Sequence, residues 1–345
     1  MSTAIISEHV VQLASHRCAY LACGPERGPV IVFVHGWPEL SHSWRHQLPA
    51  FAALGFRCIA PDMRGYGKSS TYSEHAEFTQ EKIVADMLGL IDSLGLSRVL
   101  WVGHDWGSAV VWNIASHHPQ RCAAVVSLCV PYMPGGLVLE QAIEAVDRRV
   151  YPEDVFPAGQ WEYMYYYQEN FAKATSEFDR DLARTFKILF RSGSAEGAGL
   201  PAATAYTRIN GGWFGDMTET PDLPIDQQLI TEQDLAIYVE GMQGRGFFGA
   251  DSWYMNHSAN AQYGERAVAG GVLSMPVLFI AGQYDYTCET INSSAKEPML
   301  SLCKNLTQQV IKSGHWMAQE QPLEVNATLA KWLATEVSDY WPQNA

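Results

Sequence analysis

The chain has 345 residues, of which 47% are hydrophobic and 17% are charged, and its formal net charge is −14. This composition predicts a globular protein with a large core, and the acidic balance without a Lys/Arg run argues against nucleic-acid or anionic-membrane partners. Scattered cysteines without a CxxC pair, no secretory leader and no run long enough to span a membrane predict a cytoplasmic protein.

Short apolar runs alternate with helical patterns in both terminal parts of the chain. The runs expected to form strands are 30–34, 57–60, 98–102, 124–130, 276–282 and 307–312. They are continuously apolar, which is typical of strands covered on both faces of a sheet. Between two of them, 78–95 repeats apolar residues at helical spacing. The alternation predicts an α/β fold with a mostly parallel central sheet flanked by helices.

The middle of the chain lacks this alternation. It has no strand pattern, many aromatic residues, and loops rich in Gly and Pro such as RSGSAEGAGLPAA. Because strand-like runs return after residue 275, an inserted helical cap is favoured over a second independent domain. The predicted organisation is a first core segment 1–134, a helical cap 135–262 and a second core segment 263–345.

The sequence GHDWG, residues 103–107, lies between a predicted strand and a helical run. This context is typical of a nucleophile elbow, in which glycines permit a sharp turn and the central residue projects from it. The central residue is Asp105, where many hydrolases have serine, although an aspartate here could also be only a helix N-cap. An anionic carboxylate can attack a saturated carbon, as in an epoxide or alkyl halide, and form an alkyl ester.

Hydrolysis of such an ester needs a base, an acid that orients it, and an oxyanion site. The expected chain order is nucleophile, acid, histidine. Asp285 follows the fifth predicted strand and His315 follows the sixth, at the strand ends where open α/β sheets place their sites. Asp285 is therefore favoured as the acid over Glu289 and Glu297.

The turn HGWPE follows the first of the predicted strands. It is placed to direct a backbone N–H toward the elbow, although Gly and Pro also mark ordinary turns. We predict that the backbone N–H groups of Trp37 and Trp106 form the oxyanion hole. No GxGxxG, Walker-type or HExxH motif occurs, so neither a cofactor nor a metal ion is expected.

Five segments together resemble soluble epoxide hydrolases of the α/β-hydrolase superfamily. They are HGWPELSHSWRHQLPAFAALGFRCIAPDMRGYGKSS, GHDWGSAVVW, RGFFGADSWYMN, GQYDYT and GHWMAQEQP. They span most of the predicted core and both edges of the predicted cap. The resemblance implies an α/β-hydrolase fold with a helical cap. Because the first strand pattern begins near residue 17, no additional N-terminal phosphatase domain is expected.

The resemblance also implies two cap tyrosines that hydrogen-bond and protonate the epoxide oxygen. The segment WEYMYYYQEN places Tyr163 at the first position, and SWYMN places Tyr254 at the second. A phenol with a pKa near 10 stays protonated at rest and can give its proton to a basic alkoxide. Tyr166 and Tyr167 share a helix face with Tyr163 and remain alternatives as the first donor.

The predicted function is hydrolysis of lipophilic epoxides to vicinal diols, with an apolar epoxide and water as the small-molecule partners and the oligomeric state left open. Trp37, Trp106, Tyr163 and Tyr254 are expected to contact the substrate. Aromatic residues of the middle segment suggest an apolar tunnel, namely Trp161, Trp213, Phe214, Phe247 and Phe248. The biological role would be detoxification or turnover of lipid epoxides.

Two other functions remain as alternatives. A haloalkane dehalogenase would use the same aspartate, and the Trp106 indole could bind the departing halide. Such enzymes usually have Asn at the position of Trp37, and they have no use for a tyrosine pair. A non-catalytic ligand receptor on the same fold would use the pocket alone.

Overall fold

The computed structural model describes residues 5–134 and 137–343. In this part of the chain the strands are β1 Ser7–Gln12, β2 Arg17–Cys23, β3 Val30–Val34, β4 Arg57–Pro61, β5 Val99–His104, β6 Cys122–Leu128, β7 Leu273–Gly282 and β8 Cys303–Ile311. The helices are α1 Gln47–Ala53, α2 Gln80–Ser93, α3 Trp106–His117, α4 Leu139–Glu144, α5 Glu162–Asp179, α6 Leu182–Leu189, α7 Glu232–Met242, α8 Phe248–Asp251, α9 His257–Gly264, α10 Glu297–Leu302, α11 Met317–Glu320 and α12 Pro322–Glu336.

The strands form one sheet in the order β1-β2-β4-β3-β5-β6-β7-β8. The first two strands pair antiparallel, β2 is antiparallel to β4, and every later pairing is parallel. Every residue of β3, β5 and β6 is buried, which explains why their sequences are continuously apolar. The predicted α/β class and parallel sheet are confirmed.

Helices cover the sheet. The helix α3 contacts β5 and β6, and α2 packs on α3. At other strands α1 contacts β4, α12 contacts β7 and β8, and α1 packs on α12. None of the helices in the described residues combines the length and apolar character needed to cross a bilayer.

All six predicted strands are present, and the helix predicted at 78–95 is α2. The strand β1 was not anticipated, because it is an edge strand with five exposed residues and one half-buried residue. A strand with no buried face has no apolar pattern for the sequence to display.

The chain between β6 and β7 is an excursion from the sheet. Its described residues, 129–134 and 137–272, contain α4 to α9 and no strand, while β6 and β7 are paired neighbours. A helical insertion between two halves of one sheet is therefore present. The boundaries at 134 and 262 stay a prediction, and the second falls inside α9, which packs on α2.

Candidate active site

The residues predicted to take part in the reaction follow four parallel strands. Trp37 lies beyond β3, Asp105 directly after β5, Asp285 beyond β7 and His315 beyond β8. Because the carboxyl ends of parallel strands meet at one edge of the sheet, residues far apart in sequence converge there. The position of the site thus follows from the sheet topology.

Asp105 sits in a strained turn between β5 and α3. Its φ is 51° and its ψ is −124°, a conformation that residues other than glycine rarely adopt. A Cβ on Gly107 would lie 2.1 Å from the carbonyl oxygen of Val34, and one on Gly103 would lie 2.4 Å from that of Gly107. Both glycines are therefore required by close backbone contacts. Asp105 makes no side-chain capping bond to α3, so the N-cap alternative is not supported.

The turn after β3 reaches the carboxylate of Asp105. The backbone N–H of Trp37 donates to Asp105 Oδ1 over 2.7 Å. A Cβ on Gly36 would lie 2.4 Å from the same oxygen, so only glycine allows this approach. The backbone N–H of Trp106, the residue after Asp105, also lowers the pKa of the carboxylate. The Trp37 N–H therefore contacts Asp105 directly, and the oxyanion role of both N–H groups stays a prediction.

Asp285 and His315 form a hydrogen-bonded pair next to Asp105. His315 Nδ1 donates to Asp285 Oδ2 over 2.8 Å, and His315 Nε2 lies 3.6 Å from Asp105 Oδ2. The backbone N–H of Cys288 donates to the other oxygen of Asp285 over 2.9 Å. Glu289, an alternative acid, instead accepts backbone N–H groups of its own loop. The imidazole of His315 therefore lies between the carboxylates of Asp285 and Asp105.

Burial and charge shift the pKa values of these three groups. Burial raises the pKa of Asp105, opposed by the charge of His315. Burial would raise the pKa of Asp285, but His315 brings it below its usual value. Burial would lower the pKa of His315, but the charge and hydrogen bond of Asp285 outweigh it and raise that pKa well above 6.5. The acid and the histidine thus shift each other's pKa in the directions expected of a hydrogen-bonded ion pair.

A second buried pair, not anticipated from the sequence, connects the loops of the site. His104 Nδ1 donates to Glu39 Oε2 over 2.6 Å, and His104 Nε2 donates to the carbonyl oxygen of His315 over 2.7 Å. Glu39 also accepts the backbone N–H of Gly36. Burial opposes ionisation of Glu39, but His104 brings its pKa to about 2. Both ring nitrogens of His104 are thus engaged away from the carboxylate of Asp105. The acid in the HGWPE turn, Glu39, was the available signal in the sequence.

A cavity of about 520 Å³ opens onto these groups. The residues that line it include Asp105, His315, Tyr163, Tyr254 and Trp37. The rings of Tyr163 and Tyr254 meet edge to face with centroids 5.5 Å apart. Burial raises the pKa of both phenols well above 10, so both stay protonated.

The neighbouring tyrosines of α5 point elsewhere. The hydroxyl of Tyr166 donates toward Glu177 and the carbonyl of Gly211, and that of Tyr167 donates to Asp251. Neither is among the residues that line the cavity. The geometry therefore favours Tyr163 over both alternatives as the first phenol of the site.

Some predicted lining residues lie outside the cavity. Trp213 and Phe214 line it, but Trp161, Phe247 and Phe248 do not. Phe247 packs on Phe178, and Phe248 packs on His75. Trp106, predicted to contact the substrate, is fully buried behind Tyr254, with ring centroids 5.2 Å apart. The sequence does not tell which face of a helix meets the cavity, so it could not separate these side chains from the lining residues. Contact of Trp106 with the substrate stays a prediction.

Four side chains around the acid–base pair could offer ligand atoms to a metal ion. Cys129, Asp285, Cys288 and His315 have such atoms within 4.8 Å of one another. Burial raises the pKa of the Cys129 thiol well above its usual value, which disfavours the thiolate that a metal needs. Because Asp285 and His315 already bind each other, the set fits an acid–base pair better than a metal centre.

A family model described as alpha/beta hydrolase fold matches residues 29–322. The chain belongs to this family. The predicted α/β-hydrolase fold is thereby confirmed.

Relatives of this α/β hydrolase carry a more specific name. Bifunctional epoxide hydrolase 2 of Sus scrofa is 35% identical over 311 residues, a match that covers 90% of this chain and 52% of that protein. Epoxide hydrolase A of Mycobacterium tuberculosis is 33% identical, with 95% of this chain and 97% of that protein covered. The chain thus spans about half the length of the mammalian relative and nearly all of the bacterial one.

Solved structures agree with these relatives. Epoxide hydrolase A from Mycobacterium thermoresistibile superposes with a TM-score of 0.79 at 31% identity, covering 96% of this chain and 99% of that one. An epoxide hydrolase from an endophytic Streptomyces gives a TM-score of 0.77 at 28% identity, covering 98% and 97%. The resemblance to soluble epoxide hydrolases is confirmed.

Proposed function

We propose that this α/β hydrolase converts lipophilic epoxides to vicinal diols through a covalent alkyl ester on Asp105. The observation that carries the proposal is the shared cavity, in which a carboxylate on the core faces the same space as two protonated cap phenols. The lipophilic substrate class, a role in detoxification or lipid-epoxide turnover, and a cytoplasmic location belong to the same proposal.

In the first step, Asp105 Oδ2 attacks one epoxide carbon and the bond from that carbon to the epoxide oxygen breaks. Asp105 Oδ1 remains at the Trp37 N–H, 2.7 Å away, so Oδ2 is the oxygen left free to attack. The departing oxygen takes a proton from Tyr163 or Tyr254, and the other phenol donates a hydrogen bond. The product is a hydroxyalkyl ester on Asp105 and one tyrosinate.

In the second step, water attacks Asp105 Cγ while His315 Nε2 accepts one of its protons. The negative charge that develops on Oδ1 is stabilised by the backbone N–H groups of Trp37 and Trp106. The bond from Cγ to Oδ2 then breaks, and the diol leaves with Oδ2 after taking the proton from His315. The second proton of the water returns to the tyrosinate, which restores the enzyme.

Removal of the phenols should slow ring opening. We expect Tyr163→Phe and Tyr254→Phe each to lower the rate of ester formation, and the double variant to lower it by about 10² to 10⁴-fold, the range for general-acid catalysis. The measurement is a single-turnover rate of ester formation. Tyr166→Phe is the matched control, because its hydroxyl contacts Glu177 and Gly211 outside the cavity. Equal losses in the control and the double variant would contradict the assignment.

The two steps should differ in their dependence on pH. Esterification removes the negative charge of Asp105, whose Oδ2 lies 3.6 Å from His315 Nε2. A histidine that loses a neighbouring anion loses its proton at lower pH, so its pKa should fall in the ester. Since only neutral imidazole accepts a proton from water, ester hydrolysis should rise with pH through this lowered pKa and be lost below it.

Rapid-quench measurement of ester hydrolysis across pH, compared with the profile of kcat/KM, tests this expectation, because the latter reports the free enzyme. An ester-hydrolysis rate that falls as pH rises through neutrality would contradict it. So would a His315 pKa that is higher in the ester than in the free enzyme.

A substrate screen tests the proposed activity directly. We expect diol formation from styrene oxide, stilbene oxide or a fatty-acid epoxide, and no halide release from haloalkanes. Halide release without diol formation would favour a dehalogenase. Epoxides that bind without turnover would favour a receptor, and either result would overturn the proposal.

A further inference from the structure

Asp251 is a buried carboxyl group in the segment between β6 and β7. It is the last residue of α8, three positions before Tyr254, and its relative exposure is 0%. Burial raises its pKa to about 8, and none of the groups that affect it most strongly is a cation. A buried carboxyl without a cation is costly unless hydrogen-bond donors surround it.

Three donors converge on this carboxyl. The indole N–H of Trp37 donates to Oδ1 over 2.9 Å, and the hydroxyl of Tyr167 donates to the same oxygen over 3.2 Å. The hydroxyl of Thr175 donates to Oδ2 over 3.0 Å. Trp37 belongs to the turn after β3, whereas Tyr167 and Thr175 belong to α5. One carboxyl therefore joins the turn at the edge of the sheet to the helical segment above it.

Two of these donors lead directly to the reacting groups. The backbone N–H of Trp37 is 2.7 Å from Asp105 Oδ1, while the indole of the same residue is fixed by Asp251. The ring of Tyr167 stacks on Tyr254 with centroids 4.6 Å apart and planes 12° apart. Thr175, in contrast, is not among the residues that line the cavity.

We propose that Asp251 is a positioning residue that holds the Trp37 N–H and the Tyr254 phenol in place opposite Asp105. It acts through the Trp37 indole and the Tyr167 ring and touches neither substrate nor the reacting atoms. The inference rests on the proposed epoxide hydrolysis. The inference assigns a role in that reaction to Asp251, which would hold both the oxyanion donor, Trp37, and the proton donor, Tyr254.

The two steps should respond differently to loss of this support. Displacement of an oxyanion N–H weakens stabilisation of the charge on Oδ1, which develops only when water attacks the ester. Tyr254 keeps its stacking on Tyr167 in part, so ester formation should be less affected than ester hydrolysis. We therefore expect Asp251→Leu to lower the rate of ester hydrolysis by about 10 to 100-fold. This is the scale of the loss when a catalytic group is displaced slightly from its productive position.

A conservative variant should rescue the function. Asp251→Asn keeps an oxygen that can accept from Trp37 and Tyr167, and its amide can donate to the Thr175 hydroxyl, which is able to accept. Its ester-hydrolysis rate should stay within about threefold of the original, a range set by the modest net energy of one neutral hydrogen bond. Thr175→Val is the matched control, because it removes a bond to Asp251 that leads to no reacting group.

The experiment measures ester formation and ester hydrolysis separately by rapid quench, with melting temperature as the measure of stability. Ester formation in the unmodified protein tests the proposed function first, and its absence would overturn both claims. If the ester forms, slower hydrolysis in Asp251→Leu but not in Asp251→Asn or Thr175→Val is expected. Equal hydrolysis rates in all three variants would overturn the positioning role alone.

If Asp251→Leu does not fold, the ester-hydrolysis rate of Trp37→Phe provides an alternative test of the positioning role. This variant keeps the backbone N–H and a ring but deletes the indole N–H that Asp251 accepts. Slower ester hydrolysis in Trp37→Phe, with ester formation less affected, supports the proposal. An unchanged hydrolysis rate in Trp37→Phe overturns it.

Discussion

Replacing Asp105 with Asn is expected to lower kcat for epoxide hydrolysis by on the order of 10⁴-fold or more, as for the loss of other covalent nucleophiles. The neutral amide keeps the shape of the side chain and can still accept the Trp37 N–H, which is 2.7 Å from Oδ1. What disappears is the charge on Oδ2 that opens the ring. Diol production by folded protein, checked by circular dichroism, is the measurement.

A second variant, Asp105→Ser, tests whether the reaction needs a carboxylate that can form an ester. A serine in the elbow could be activated by His315, yet opening an epoxide with a serine oxygen would give an ether. An ether has no carbonyl carbon for water to attack, so the oxyanion donors and the histidine have no substrate to act on. We expect no diol from this variant either. Turnover near the original rate in Asn or Ser variants would show that Asp105 is not the nucleophile.

Replacing His315 with Gln is expected to separate the two halves of the reaction. Ring opening needs no base, because the carboxylate is already anionic, whereas hydrolysis needs the imidazole 3.6 Å from Asp105 Oδ2. The variant should therefore consume one equivalent of epoxide per site and stop with an ester on Asp105. Steady-state turnover should fall by about 10³-fold or more, within the range reported for loss of a base in such triads.

Intact-protein mass spectrometry provides the measurement, since each trapped ester adds the mass of one epoxide. Asp285→Asn is the companion variant, because it keeps the imidazole but removes the charge that raises the pKa of His315. It should also accumulate ester, to a smaller extent. A His315→Gln protein that neither turns over nor gains mass would contradict the division of roles.

The sequence was informative where structure depends on local constraint. The strand β3, with sequence VIVFV, is buried at every residue, so its apolar character follows from its place inside the sheet. Asp105 was recognisable because it lies between two glycines that the fold requires. Gly107 packs closely on the backbone of Val34, and Gly103 packs closely on the backbone of Gly107. Asp285 and His315 follow strands whose parallel pairing takes both to the same edge.

The sequence was uninformative where structure depends on which face a helix presents. Tyr163, Tyr166 and Tyr167 lie on one helix with equal chemistry, and only their partners distinguish them: the cavity, Glu177 and Asp251 respectively. Asp251 gave no signal, because a lone aspartate in a loop-rich segment usually lies at the surface. Its importance arises from donors that are 214 and 84 residues away in the chain.

The covalent ester on Asp105 is tested most directly by a single turnover in ¹⁸O-water with enzyme in excess of epoxide. Water that attacks Cγ leaves its oxygen on the carboxylate, while the diol carries away the former Oδ2. We expect ¹⁸O in the peptide that contains Asp105 and unlabelled diol from the first turnover. Labelled diol with an unlabelled Asp105 peptide would mean that water opens the ring itself, and would contradict a covalent ester on Asp105.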